Sequence, residues 1–392
     1  MKPNNLIERL EVLLNEPLEA VRERQSNTLS KLIGDLSRPF VLFGASLLGR
    51  KAQAVLKSRG LSPCAFLDNN PALWGTRIDS VPVYSPAQFV EQWEGELPNV
   101  ICTIWSGRIQ ECMADHLAPL RKLGFEHIAL FGHLAWRYPQ HLLPHYCMDL
   151  PENVLPEADA IRQAFGLLAD EESRKLFVDH IEWRLHLNHQ LLPVSSPLQI
   201  YFDARFSTDN AEEVVFDIGA FNGDTVEGYL FTGRGYREYH CFEPVARNFD
   251  ALKSCLVRLD QPGLHAHRMA VGDGIGEVLI EASNGPSSRV GRGDERVPMT
   301  TLDELAAQGL IPTFIKIDIE GFEPQCLAGG RHLIAKHRPV IAVSAYHEQN
   351  HLWRILLQLH DYYTDYRFSL CPHVSEGWDL VLYAVPQERV PS

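Results

Sequence analysis

The stretch Val214-Val215-Phe216-Asp217-Ile218-Gly219-Ala220-Phe221-Asn222-Gly223-Asp224-Thr225 decides the fold of the second half of the chain. It predicts a buried apolar strand that ends near Asp217, followed by a tight turn that opens a helix. Gly219 would let a ligand approach the backbone, and Gly223 would allow close packing of the helix on the strand. The pattern indicates an α/β unit with a ligand-binding turn at the end of its first strand.

A second carboxylate follows where the next predicted strand ends in Cys241-Phe242-Glu243-Pro244. A carboxylate at this position can accept hydrogen bonds from both ribose hydroxyls of an adenosine. The glycine turn alone is shared with dinucleotide-binding proteins, but Asp217 would crowd a pyrophosphate. It could instead pair with the ammonium of the methionine part of S-adenosylmethionine. The two carboxylates therefore favour that cofactor; the alternative is that Asp217 and Glu243 only cap turns.

Seven strands are predicted in the segment 205–392, and most of them alternate with helices. They are EVVFDIGA, EYHCFEP, HAHRMAVGD, TFIKIDIEG, PVIAVSAYH, YRFSLCPH and LVLYAVP. The short polar loop VSEGWD between the last two predicts an antiparallel hairpin. A seven-stranded, mostly parallel sheet closed by such a hairpin is the Rossmann-like α/β architecture of class I S-adenosylmethionine methyltransferases.

Three candidate catalytic residues follow the fourth and fifth of these strands: Asp318, Glu320 and His347. Parallel strands bring their carboxyl ends to one ligand crevice, so these side chains are expected to face it. The two carboxylates could bind a divalent cation, hold a hydroxyl or deprotonate it. His347 is a candidate general base, because the reference pKa of histidine lies near neutrality. The alternatives are a helix N-cap for either carboxylate and a structural role for the histidine.

Together these segments resemble the FkbM family of methyltransferases. The matching residues are DIGAFNGDT (217–225), FEP (242–244), AVGD (270–273), TTLDEL (300–305), IKIDIEGFE (315–323), Arg338-Pro339, Tyr346-His347 and LYAVP (382–386). The resemblance implies a class I fold, S-adenosylmethionine as the methyl donor and often a hydroxyl acceptor on a sugar or a natural product. It also implies a cofactor site with the main chain of Ala270 and Val271 near the adenine and the remaining contacts from Asp217, Gly219, Ala220, Gly223 and Glu243.

The first half of the chain carries a related pattern. After an N-terminal helical region, Gly44-Ala45-Ser46-Leu47-Leu48-Gly49 follows a predicted strand, and Asp68 ends the next one. Ser46 stands where a dinucleotide-binding turn has its middle glycine, which argues against NAD binding. We predict an N-terminal helix and a smaller Rossmann-like α/β domain over 1–150, a helical connector over 151–204 and the methyltransferase domain over 205–392. The first domain could recognise a nucleotide or the acceptor, or it could serve packing and dimerisation.

The composition excludes several classes of function. The 392 residues carry 36 Lys and Arg against 50 Asp and Glu, a net charge of −14 without a basic patch, so no nucleic-acid partner is expected. The apolar runs are far shorter than the roughly 18 residues of a membrane span. The eight cysteines include no C-x-x-C pair, so no zinc or redox motif is expected. Without a recognisable secretion signal, a cytoplasmic location is expected.

The sequence as a whole predicts an S-adenosylmethionine-dependent O-methyltransferase. The expected partner is a small-molecule or saccharide acceptor, and a homodimer is one assembly that the first domain could form. In the predicted mechanism, His347 or Asp318 removes the proton of a hydroxyl held near Glu320. A divalent cation could bind there, but no metal site is predicted. Two other classes stay open: a nicotinamide-dependent oxidoreductase and a non-catalytic protein that binds S-adenosylmethionine or a sugar nucleotide.

Overall fold

The computed structural model describes residues 5–105, 112–192, 200–206, 210–281, 289–290 and 295–390. Contacts between residues divide the chain into two compact units. The first comprises Met1–Ala158, Val178–Ser195 and Val374–Trp378, and the second comprises Asp159–Phe177, Ser196–His373 and Asp379–Ser392. The segment 151–204 thus contributes residues to both units, and its description as a separate connector stays a prediction.

The first unit is built on a six-stranded sheet. Its strands are β1 (Phe40–Phe43), β2 (Ala65–Leu67), β3 (Arg77–Ile78), β4 (Val81–Tyr84), β5 (Asn99–Cys102) and β6 (Ile128–Leu130). They lie in the order β3-β4-β2-β1-β5-β6, and all neighbours are parallel except β3 and β4. Its helices are α1 (Leu6–Leu14), α2 (Leu18–Ile33), α3 (Leu47–Lys57), α4 (Pro86–Gln92), α5 (Met113–Lys122), α6 (Phe131–Arg137) and α7 (Pro139–Leu142).

The sequence predicted four of these six strands, and the β3–β4 hairpin is the addition. Every residue of β1, β2 and β5 is buried, so these strands appear in the sequence as short apolar runs. The hairpin turns at Asp79 and Ser80, which both have positive φ (46° and 72°), as in a type I′ turn. Such turns are usually signalled by asparagine or glycine, and neither residue is present here.

The second unit contains a seven-stranded sheet and a smaller four-stranded sheet. Its strands are β7 (Val214–Ile218), β8 (Glu238–Phe242), β9 (Leu264–His267), β10 (Ala270–Val271), β11 (Gly276–Glu281), β12 (Arg289–Val290), β13 (Glu295–Thr300), β14 (Phe314–Ile317), β15 (Val340–Ser344), β16 (Tyr366–Pro372) and β17 (Leu380–Pro386). The large sheet has the order β16-β17-β15-β14-β7-β8-β9. β17 runs antiparallel to both of its neighbours, and the other pairs are parallel. The predicted seven strands and closing hairpin are thus present.

Helices connect these strands. They are α10 (Asp224–Phe231), α11 (Ala246–Leu259), α12 (Leu302–Ala307), α13 (Glu323–Ala328), α14 (Arg331–His337) and α15 (His351–Tyr362). Two earlier helices, α8 (Ala158–Leu167) and α9 (Glu171–His186), lie in the predicted connector, and the residues of α9 from Val178 onward belong to the first unit. Among the described residues, none of the helices combines the length and apolar character that a membrane span requires.

The predicted third strand, HAHRMAVGD, divides into two elements. Its first part is β9, the edge of the large sheet, whereas its second part is β10, which pairs with β13 in the four-stranded sheet. The order of that smaller sheet is β10-β13-β11-β12. No local pattern indicated this change of sheet, because β10 is only two residues long and its partner β13 follows a Gly- and Arg-rich stretch.

The topology places several turns at one edge of the large sheet. The parallel strands β15, β14, β7 and β8 are consecutive neighbours, so their carboxyl ends lie side by side. β17 begins at the same edge, because it runs antiparallel to β15 and Ala345 donates its N–H to the carbonyl oxygen of Leu380. Residues just after β7, β8, β14 and β15, and just before β17, therefore form one crevice.

Candidate active site

The turn between β7 and α10 is held against the turn that follows β14. Gly219 has a φ of +84°, and a Cβ atom there would lie 1.8 Å from the carbonyl oxygen of Asp318. Gly223 has a φ of +92°, and a Cβ atom there would lie 2.9 Å from Cβ of Cys255 on α11. Gly219 is therefore needed for contact between two turns, and Gly223 for packing between helices. A further role of Gly219 in ligand approach stays a prediction.

The same turn is tied to the end of β8. Ala220 donates its N–H to the carbonyl oxygen of Phe242 at 3.0 Å. The Glu243 carboxylate accepts the N–H of Phe221 on Oε2 at 3.0 Å and the N–H of Val245 on Oε1 at 2.9 Å. Burial raises the pKa of Glu243 to about 7, although these hydrogen bonds oppose the rise. Glu243 is thus an anchored carboxylate beside the glycine turn.

Asp217 is completely buried and paired within the protein. Its Oδ1 lies 2.9 Å from Nζ of Lys316, and its Oδ2 accepts the hydroxyl of Tyr239 at 3.3 Å. Lys316 also donates to the carbonyl oxygen of Gly219 at 2.6 Å. Burial lowers the pKa of Lys316, but the Asp217 carboxylate outweighs burial and raises it. Asp217 therefore supports the turn through Lys316, and its side chain is not exposed to the cofactor ammonium that sequence reasoning assigned to it.

Asp318, Glu320 and His347 come together at the ends of β14 and β15. Nε2 of His347 lies 3.3 Å from Oδ1 of Asp318 and 3.9 Å from Oε2 of Glu320. Nδ1 lies 2.8 Å from Oε1 of Glu323, the first residue of α13. Burial lowers the pKa of His347, but the carboxylates, Glu323 foremost, outweigh it and raise the pKa to about 10. The carboxylates therefore favour the doubly protonated ring at neutral pH, and the roles of His347 and Asp318 as bases stay predictions.

Glu323 holds the buried side of this cluster. Its Oε1 accepts the backbone N–H of Ile319 at 2.8 Å, and its Oε2 lies 3.4 Å from Nδ1 of His351. Burial raises the pKa of Glu323, but His347 outweighs burial and lowers it to about 2. The side chain is therefore an ionised carboxylate that fixes the orientation of the His347 ring.

Two tyrosines and a further carboxylate line the same crevice. The hydroxyl of Tyr201 donates to Oδ2 of Asp318 at 2.7 Å. Asp379, directly before β17, is hydrogen-bonded by Tyr346. Burial and the neighbouring Asp318 raise the pKa of Asp379 to about 6. Each aspartate is thus held by a tyrosine hydroxyl, which limits its rotation.

Four residues of this site received no role from the sequence: Lys316, Glu323, Tyr201 and Asp379. Lys316 and Glu323 both stand with Asp318 in the segment IKIDIEGFE, and strand alternation placed only Lys316 on the same side as Asp318. Tyr201 and Asp379 are distant from Asp318 in the chain, and only the tertiary fold brings them close to it.

Ala270 and Val271 lie on β10, outside the large sheet, and both are buried. Ala270 packs in an apolar cluster with Val245, which follows Glu243 by two residues. This cluster therefore adjoins the Glu243 end of the crevice. A position of Ala270 and Val271 near an adenine ring stays a prediction.

The cluster also contains a set of atoms that could hold a metal ion. Donor atoms of Asp318, Glu323 and His347 all lie within 4.8 Å of one another. Across the described part of the chain, no other group of three His, Cys, Asp or Glu side chains is this compact. The Asp318 side chain is 25% exposed and that of Glu320 17%, whereas that of His347 is only 1% exposed. Access from solvent is thus through the two carboxylates.

Comparison with known proteins identifies the same part of the chain. Residues 217–369 match the family model described as Methyltransferase FkbM domain. The chain is similar to the crystal structure of Methyltransferase FkbM from Methylobacillus flagellatus KT, with a TM-score of 0.73, 19% sequence identity and coverage of 97% of this chain and 98% of that chain. This likeness confirms the predicted class I methyltransferase-like α/β fold. No curated protein matches the chain.

A second solved structure, precorrin-6y C5,15-methyltransferase from Geobacter metallireducens GS-15, is 11% identical. The likeness covers 49% of this chain and 98% of that chain, with a TM-score of 0.29. That score is too low to indicate a shared fold.

Proposed function

We propose that this chain is an S-adenosylmethionine-dependent O-methyltransferase with a sugar or natural-product hydroxyl as acceptor, because residues 217–369 match the model of the FkbM methyltransferase domain. The observation that carries the proposal is the contact between two turns, in which Gly219 lies against the main chain of Asp318. This contact brings the predicted cofactor turn next to the carboxylate–histidine cluster. Such adjacency supports group transfer, because alignment of two reactants contributes much of an enzyme's acceleration.

Glu243 fits the ribose of the proposed cofactor. A carboxylate has about four acceptor positions, and three are used by the N–H groups of Phe221 and Val245 and by Nδ2 of Asn248 at 3.4 Å. One position is therefore open to a ribose hydroxyl. When bound, S-adenosylmethionine supplies an activated methyl group.

Asp217 does not fit direct contact with the methionine ammonium, because it is buried against Lys316. The exposed carboxylate of the same turn is Asp224, the first residue of α10. We assign Asp217 and Lys316 to support of the turn, and Asp224 to the end of the cofactor that carries the ammonium.

Asp318 is the residue that we assign to receive the proton of the acceptor hydroxyl. It is a quarter exposed, whereas His347 is buried with carboxylates facing both ring nitrogens. With S-adenosylmethionine bound, transfer of its methyl group to the acceptor oxygen would break the carbon–sulfur bond, and Asp318 would accept the hydroxyl proton. Glu320 would accept a hydrogen bond from the acceptor, and His347 would orient Asp318.

The proposal is tested by measuring release of S-adenosylhomocysteine with a panel of saccharides and hydroxylated small molecules. Asp318→Asn should reduce turnover by about 10²- to 10⁴-fold while leaving S-adenosylhomocysteine affinity unchanged. Glu227→Gln is the control, since this carboxylate lies on α10 with 48% of its side chain exposed. Unchanged turnover in Asp318→Asn would exclude Asp318 as the base. Tight cofactor binding without product from any acceptor would favour a non-catalytic binding protein.

A further inference from the structure

We propose that Asp318, Glu320 and His347 form a binding site for one divalent transition-metal cation, with Glu323 orienting the histidine. The donors would be two carboxylate oxygens and one imidazole nitrogen. This mixed set suits ions such as Zn²⁺, Co²⁺ or Mn²⁺ better than Mg²⁺ or Ca²⁺, which prefer oxygen ligands alone. The binding site itself does not depend on the proposed methyl transfer.

Two distances from Nε2 of His347 show how its neighbours could share a single ion with it. Nε2 of His347 lies 3.3 Å from Oδ1 of Asp318 and 3.9 Å from Oε2 of Glu320. With metal–ligand bonds of about 2.0–2.2 Å, neighbouring ligands of a tetrahedral or octahedral ion lie roughly 3.0–3.5 Å apart. The first separation matches this range. The second is wider, so Glu320 would have to move towards His347 to bind the same ion.

Oδ1 of Asp318 is buried and accepts no hydrogen bond within the described part of the chain. The carboxylate cannot easily turn away, because its Oδ2 is held by the hydroxyl of Tyr201 at 2.7 Å. Buried polar atoms nearly always have a partner, and an exception calls for an ordered water or an ion. The orphaned oxygen faces Nε2 of His347, and a cation between the two atoms would satisfy it.

Glu323 gives His347 the support that metal-binding histidines characteristically have. Its Oε1 lies 2.8 Å from Nδ1 of His347, which keeps a proton on Nδ1. A cation bound at Nε2 would replace the proton that this nitrogen otherwise carries. The carboxylate is itself fixed by the backbone N–H of Ile319 at 2.8 Å. The arrangement is a carboxylate–histidine pair aimed at Asp318 and Glu320.

A bound cation would also affect catalysis, and this effect alone rests on the proposed function. A cation at this position would bind the acceptor oxygen and lower the pKa of its hydroxyl. The proton would then leave to a carboxylate of the cluster more readily.

The test is a titration of the full-length, chelator-treated protein with Co²⁺, whose visible absorption reports nitrogen ligation. We expect one Co²⁺ per chain, displaced by Zn²⁺. Asp318→Asn should abolish the absorption. Glu323→Gln should weaken affinity by about 10- to 100-fold, the effect typical of a residue that orients a metal ligand.

His265→Gln is the matched control, because His265 is an exposed histidine beside His240 and His267 in the other histidine group of the second unit. It should leave Co²⁺ binding unchanged. Retained S-adenosylhomocysteine binding by Asp318→Asn would show that this variant is folded. Absence of Co²⁺ binding, or binding that survives Asp318→Asn and is lost in His265→Gln, would overturn the metal site. Cofactor binding without Co²⁺ binding would refute the metal site alone, and the reverse result would refute the proposed function alone.

Discussion

Removal of Lys316 alone should destabilise the second unit more than removal of Lys316 and Asp217 together. Lys316→Met leaves the fully buried Asp217 carboxylate without its counter-charge. Protonating a carboxyl group with an ordinary pKa of 3.8 costs about 4 kcal/mol at pH 7, within the roughly 3–5 kcal/mol typical of a broken buried ion pair. The double variant Asp217→Asn/Lys316→Met has no buried charge, so only hydrogen bonds are lost, about 1–2 kcal/mol.

Hydrogen–deuterium exchange of peptides that contain β7 and β14 measures the local free energy of opening in this unit. The difference in the free energy of opening between the single and double variants should be smaller at pH 5 than at pH 7. Burial already raises the pKa of Asp217, and Lys316→Met removes the cation that opposes this rise. The stability of the single variant is therefore retained at low pH and lost as the pH rises. Arg258→Gln, which removes an exposed pair with Glu227, is the control and should change exchange little. Equal protection of the single and double variants at pH 7 would refute the reasoning.

Three further predictions concern the second unit. Gly219→Ala should destabilise it by more than about 2 kcal/mol, because a Cβ atom would lie 1.8 Å from the Asp318 carbonyl oxygen and the residue has positive φ; urea unfolding would measure this. Gly228→Ala, on α10 with open space around its Cβ, should instead stabilise by about 0.5–1 kcal/mol, and equal effects at the two glycines would contradict the packing argument. Burial raises the pKa of Glu243 from 4.5 to about 7. As the pH rises from 4.5 to 7, the free energy of unfolding of the wild type should therefore fall by about 3 kcal/mol relative to that of Glu243→Gln. Unfolding curves that keep a constant separation from pH 4.5 to 7 would contradict that shift.

The sequence predicted those parts of the fold that local patterns determine. Most strands of the large sheet are short apolar runs bounded by turn residues, and each of the seven predicted strands contributes a strand to it. The β3–β4 hairpin was missed because its positive-φ turn uses Asp79 and Ser80 rather than glycine. The change of sheet at β10 was missed because it depends on pairing with β13, which no local pattern encodes.

At the candidate site too, local patterns predicted the positions of residues, whereas their tertiary contacts were not predictable. Asp318, Glu320 and His347 were placed together because the carboxyl ends of parallel strands meet at one edge. The contacts made by their side chains were not predictable from position alone. A strand-end histidine suggested a base, but the carboxylates around His347 outweigh its burial and raise its pKa to about 10. Asp217 suggested a cofactor ligand, but the alternation of β14 places Lys316 against it in the neighbouring strand.

The most direct test of the central claim is calorimetric titration of the protein with S-adenosylhomocysteine, run beside NAD and NADP. We expect S-adenosylhomocysteine to bind at one site per chain and Glu243→Ala to weaken that binding strongly, because the carboxylate beside the glycine turn would be lost. Binding of NAD or NADP in the absence of S-adenosylhomocysteine binding would contradict the account and indicate a nicotinamide-dependent enzyme.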